Sequence, residues 1–241
     1  MRPPRFASLP PRLRASSAAA LVLLLLAGLL SAPGAADEPD HLQKGSAAFA
    51  AGRFDEAVAE FRAAVAERPG SVEALLGLGT ALARTGDVNG ALHAFVQATA
   101  LDPSNEDALL ARTDLLALLG RCAEARTLLD DACRKHPSRG RTALSLASLL
   151  ATCPDPGLRD GTRAVDLAER VLDGAPTATA GRVYAQALAE AGRCADAARW
   201  QARVLAAARK EPPPFPVTVL EDELARYEKG APCRPPTGPG K

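Results

Sequence analysis

Residues 72–105 read VEALLGLGTALARTGDVNGALHAFVQATALDPSN, and the fold of the chain follows from them. Leu75, Leu78 and Leu82 recur at intervals of three and four, Gly86 interrupts, and Val88, Leu92, Phe95 and Val96 continue to Asp102-Pro103. Apolar residues at that spacing form one stripe on a helix, so the stretch predicts two helices joined at Gly86. Glycine permits the turn, and Pro103 cannot continue a helix. Ser104, with Asp107 three residues on, offers a capping pair for the next helix.

Shifted back by 34, the key positions recur: Gly79 falls on Gly45, Gly86 on Gly52, Ala91 on Ala57, Phe95 on Phe61, Ala98 on Ala64 and Pro103 on Pro69. Shifted forward by 34, they return as Gly120, Ala125, Leu129, Ala132 and Pro137. One helix pair cannot bury both of its apolar stripes, so the pairs must stack. Ala91 and Ala98 are expected where the second helix meets the first, and a bulkier residue there would overpack at about 1–3 kcal/mol.

The period and these small, aromatic and proline positions resemble the tetratricopeptide repeat (TPR) family. The resemblance implies an all-α, right-handed helical solenoid with a concave inner surface. Repeats are expected at about 38–71, 72–105, 106–139, 140–177 and 178–210. The fourth departs from the pattern, because Ala147 and Ala164 are 17 apart where Gly45 and Ala57 are 12 apart. The insertion is a proline-bearing loop, Cys153 to Gly161, with a new helix from about Thr162. Together with Ala164-Val165-Asp166-Leu167-Ala168, this segment resembles one found in a subset of bacterial TPR proteins. In residues 211–241, Pro212, Pro213, Pro214 and Pro216 interrupt the chain. Val217, Leu220, Leu224 and Tyr227 then mark the buried stripe of a capping helix, whose other face, with Glu221, Asp222, Glu223 and Arg226, is expected to be wet. The proline-rich tail after Gly230 is expected to be disordered.

Residues 1–36 are of another kind. Arg2, Arg5, Arg12 and Arg14 have no acidic counterpart, Ala18 to Leu30 is an unbroken small and apolar run, and Ser31 to Ala36 is rich in small residues. This is the pattern of a secretory signal peptide, cleaved after Ala36; an uncleaved membrane anchor is the alternative. Both leave the remainder exported, periplasmic or secreted. The full chain carries 29 basic and 28 acidic residues, and without the four leading arginines 25 face 28, a net charge of −3. Neither that balance nor any run of Lys and Arg suits a nucleic-acid partner.

An oxidising compartment would favour disulfides. Cys122 is expected to begin the second helix of repeat 3 and Cys153 to end the first helix of repeat 4. Cys194 and Cys233 stand in the same relation across repeat 5 and the capping helix. Two disulfides are therefore expected, Cys122–Cys153 and Cys194–Cys233, each contributing about 3–4 kcal/mol by loop closure. The alternative is five thiols acting as small apolar side chains. Cys133 is left over, about 16 Å along the helix from Cys122. Cys133 and His136 alone fall short of a four-ligand zinc site, and no metal or cofactor is expected. No phosphate loop, C-x-x-C pair or nucleophile elbow occurs, so an enzyme is not expected.

What remains is the groove that the TPR resemblance implies, lined by the first helix of each repeat. Carried onto this sequence, its lining is Leu42, Gln43, Ser46 and Phe49, then Glu73, Leu76, Thr80 and Arg84. Asp107, Leu110 and Asp114 follow, then Leu144, Ser145 and Ser148, then Arg182, Val183 and Gln186. It lacks the Lys/Asn array with which some TPR domains clamp a terminal carboxylate. Leu42, Leu76, Leu110 and Leu144 form a column that either anchors a peptide, with Arg84, Asp114 and Arg182 fixing register, or belongs to the core. The expectation is an exported protein–protein interaction scaffold, an adaptor or assembly factor binding a protein or peptide in this groove. The alternative is a structural envelope protein that self-associates as a homo-oligomer. Contact with a membrane is expected only if the leading segment stays uncleaved.

Overall fold

The structure is a computed structural model that describes residues 40–211, 213–230 and Cys233. The chain divides into two units, 1–40 and 41–241; residues 1–36, expected to be a signal peptide, and most of the tail expected to be disordered lie outside the described residues. Unit 41–241 contains eleven α-helices and no strand among the described residues. In order they are α1 (His41–Ala50), α2 (Phe54–Glu67), α3 (Val72–Thr85), α4 (Val88–Leu101), α5 (Glu106–Leu118), α6 (Cys122–Lys135), α7 (Gly140–Thr152), α8 (Gly161–Gly174), α9 (Ala178–Glu190), α10 (Cys194–Ala208) and α11 (Val217–Glu228). Each helix packs on its sequence neighbours, and α1, α3, α5, α7 and α9 also touch in succession, making a helical solenoid with one face built from first helices.

The stops are where the sequence puts them. Gly86 takes φ of 89°, a left-handed conformation that side chains with a Cβ rarely adopt, and closes α3 with its amide donating to Ala83 and Leu82 carbonyls. The start of α5 differs from the expected cap. Asn105 is the N-cap, its side chain accepting from the Ala108 amide, while Ser104 donates both its amide and its hydroxyl to Asp102. An aspartate two residues back competes for that serine, and the next residue takes over the cap.

Between the two helices of a pair, one contact recurs. The eighth residue of the second helix is Phe61, Phe95, Leu129, Ala168 and Gln201 in turn. Phe61 meets Gly45 and Phe95 meets Gly79 on the first helix, and the equivalent first-helix positions in the later repeats, Thr113, Ala147 and Ala185, are buried as well. A Cβ added at Gly79 would fall 2.5 Å from Phe95 Cε1, and one at Gly45 would fall 2.8 Å from Phe61 Cδ1. The two phenylalanines therefore require glycine, and where the ring gives way to Leu129 and Ala168 the opposite position carries Thr113 and Ala147. Ala91 and Ala98 are fully buried as their smallness requires.

The inserted loop is tied at both sides. Asp155 accepts from the Gly157 amide, the Asp160 amide donates to the Leu150 carbonyl, and Arg126 of α6 donates to the Leu158 carbonyl. Arg159 reaches Glu190 at the end of α9, 3.2 Å away, with both side chains at least nine-tenths buried. A Cβ at Gly161 would sit 2.4 Å from the Ala191 amide nitrogen, so only glycine lets the loop lie this close to α9.

The final helix corrects its expected polarity. Leu220 and Tyr227 are buried as their stripe predicts, but Glu223 is buried as well, at 5% exposure. Its carboxylate accepts from Arg182 and Gln186 of α9 and from Gln201 of α10, at 2.7–3.2 Å. Gln201 also donates to the Leu220 carbonyl. Burial, with Glu223 nearby, pushes the Tyr227 hydroxyl above its ordinary range.

Candidate partner-binding groove

Leu110, Thr113, Asp114 and Ala117 of α5 line one wall of a cavity of about 560 Å³. Arg141, Leu144, Ser145, Ser148, Leu149 and Thr152 of α7 form its floor, and Thr179, Arg182, Val183 and Gln186 of α9 its far side. That volume lies within the range of ligand-binding clefts. The cavity gathers Leu110, Asp114, Leu144, Ser145, Ser148, Arg182, Val183 and Gln186 from the expected lining. Helical spacing accounts for it, because residues three and four apart on α5, α7 and α9 share one face.

Other expected members stand elsewhere. Arg84 is at the rim, in the last turn of α3, with its guanidinium 4.2 Å from the centre of the Phe54 ring and 5.9 Å from that of Phe49. The two rings meet edge to face at 5.3 Å. A rim cavity of about 370 Å³ lies there, lined by Arg84 with Gly52 to Glu56. Leu42, Phe49 and Leu76 are half-buried against the core of repeats 1 and 2, so this part of the leucine column is partly core. Gln43, Ser46, Glu73 and Thr80 are exposed, and the Ser46 and Thr80 hydroxyls turn back to carbonyls of their own helices. Asp107 is bound to Arg141 at 2.7 Å.

The charges of the cavity are not equivalent. Arg182 is committed to Glu223 at 2.7 Å, and its guanidinium lies 5.1 Å from the centre of the Phe215 ring. Arg141 is shared by Asp107 and Glu106, and Glu106 also receives the Thr142 amide and hydroxyl. Asp114 has neither a hydrogen bond nor an ion pair among the described residues. It is exposed, yet the surrounding walls remove enough water to raise its carboxyl above the ordinary 3.8. Sequence reasoning missed Phe215 in the lining; its signal was the single aromatic residue within Pro212 to Pro216.

The cysteines divide. Cys194 Sγ and Cys233 Sγ are 2.07 Å apart, at disulfide distance. Cys122 and Cys153 are both buried and stand here as free thiols, where a Cys122–Cys153 bond is expected from the sequence. Burial, and then the neighbouring Cys153 thiol, push the Cys122 thiol up to about 12. Cys133 is half-buried and apart from them. Among the described residues no three or more His, Cys, Asp and Glu side chains are grouped to hold a metal ion.

The tetratricopeptide repeat family matches residues 42–92 and 84–140. No curated protein matches the sequence significantly. Among solved structures, a thermophilic TPR protein of Thermus thermophilus is similar at 23% identity and a TM-score of 0.60, over 78% of this chain and 97% of its own. A tetratricopeptide repeat protein of Parabacteroides merdae superposes with a TM-score of 0.63 at 17% identity, over 78% and 71%. MamA of Desulfovibrio magneticus does so at 0.58 and 17%, over 72% and 96%. The repeat is matched in sequence over 42–140 and the helix pairs continue beyond it to the last helix, so the chain carries tetratricopeptide repeats within a helical solenoid.

Proposed function

We propose that this chain is an exported protein–protein interaction scaffold, an adaptor or assembly factor that binds a peptide or protein segment in the groove of α5, α7 and α9. The observation that carries the reading is the cavity of about 560 Å³, in which half-buried Leu110 and Leu144 flank a carboxylate left without a partner. Apolar anchors give such a groove affinity, and a charge among them gives register. Export rests on residues 1–36, a basic segment followed by an apolar run and small residues. An oxidising compartment is where a Cys194–Cys233 disulfide would persist.

Site-specific photo-crosslinking in the native cell tests the binding face. Probes at Ser145 and Ser148, on the cavity floor, are expected to capture one protein that a probe at exposed His93 of α4 does not. Equal capture from all three positions would rule the groove out as the working surface. Self-adducts alone would replace the adaptor reading with self-association. Fractionation of an epitope-tagged chain tests export; a full-length product confined to the cytosol would end that part of the proposal.

A further inference from the structure

We infer that the groove selects a segment carrying a lysine or arginine between apolar side chains, with the cation seated beside Asp114. The inference rests on the groove reading above and adds the chemistry of the occupant. Both arginines that line the cavity already have a carboxylate partner within the fold, Arg141 the exposed Asp107 and Arg182 the buried Glu223. Asp114 is the lining carboxylate that remains, so the uncompensated charge of the cavity is negative. Leu110, Leu144, Val183 and Phe215 share the lining with it and offer apolar surface to groups next to the charge. An acidic occupant would set its carboxylate against Asp114 with no free cation to offset it. A wholly apolar one would cover Asp114 without a hydrogen bond. A cation answers both costs.

The test is selection of random 12-residue peptides displayed on phage against the full-length protein. Peptides enriched on the wild type are expected to carry Lys or Arg flanked by apolar residues. The Asp114→Asn protein should select without that bias, and Asp114→Lys should turn it toward Asp and Glu. A synthetic copy of an enriched peptide should bind the Asn variant about tenfold more weakly. Replacing the peptide's cation by Gln should cost about the same, and making both changes should cost little more. Asp114 has no partner in the fold, so these variants should fold and melt no lower than the wild type. Peptides that lose binding in Leu144→Glu but show no cation bias would overturn this inference while leaving the groove reading in place. No enrichment, or binding indifferent to Leu144→Glu in a protein with unchanged circular dichroism, would end both. Capture of this chain's own sequence by a probe at Ser148 would assign the groove to a second copy and overturn the proposal.

Discussion

In repeats 1 and 2 the contact at the eighth residue of the second helix is Phe61 or Phe95 set against a glycine; in repeat 5 the same position is Gln201, buried and bound to Glu223 of the capping helix. The first arrangement joins one repeat to the next by shape. Phe61 fills the space left by Gly45 and also that left by Gly77 of the following repeat, where a Cβ would lie 2.5 Å from its ring. The second joins the stack to its end by directed hydrogen bonds. A shape contact accepts any neighbour with the right hole, and so it can be repeated. A buried carboxylate that needs Arg182, Gln186 and Gln201 together accepts one partner helix in one register, as a terminus requires.

The sharpest way to break this contrast is Phe95→Ala. Removing a ring at 4% exposure should cost about 3–5 kcal/mol in urea denaturation, because glycine backbones cannot relax into the space. Phe95→Leu with Gly79→Ala should recover part of that loss, since the Thr113 and Leu129 pair uses the same exchange. A double variant no better than Phe95→Ala would show that the contact is not one of complementary volume.

At the other end, Cys233→Ser should lower stability by about 3–4 kcal/mol in protein prepared without reductant, as expected for opening a loop with a sequence separation of 39. Adding reductant to the wild type should reproduce the shift and leave the variant unmoved. If reductant changes neither, Cys194 and Cys233 are not bonded in solution. Glu223→Gln is expected to cost about 1–3 kcal/mol, since Arg182 and Gln201 lose a charged acceptor. Hydrogen exchange separates this from general loosening: amides of α11 should open faster while those of α1 to α4 keep their rates, as a one-dimensional stack predicts.

The repeat was legible because each unit restates the same residues 34 apart, and helix breaks at Gly86 and Gly120 need only local information. The polar partnerships were not. Glu223 stands in a charged run that reads as a wet face, and nothing within α11 reports that Arg182 and Gln201 lie 41 and 22 positions earlier. The same blindness made Arg182 look like a free groove charge. The helix position of Arg84 points to the groove, but its side chain is drawn to the Phe54 ring. Asp114 was legible as lining, while its lack of a counterion was visible only after Arg141 and Arg182 had been assigned.

That missing counterion gives the smallest and most diagnostic effect. A carboxyl whose folded pKa lies above its unfolded value favours the folded state when protonated. Its contribution is complete below pH 3.8 and disappears as pH rises through the raised value. Asp114→Asn carries no such dependence. The variant should therefore match the wild type near pH 3 and exceed it at pH 7, by no more than about 0.5 kcal/mol, because solvent at the groove mouth screens the charge. The comparison needs only thermal melts of the two proteins across pH, since every other titrating group is shared. Adding a lysine-bearing groove peptide at pH 7 should reverse the order, stabilising the wild type more than the variant. If the wild type is the more stable at pH 7 without peptide, Asp114 already has a cation, and the charge assignment of the groove fails with it.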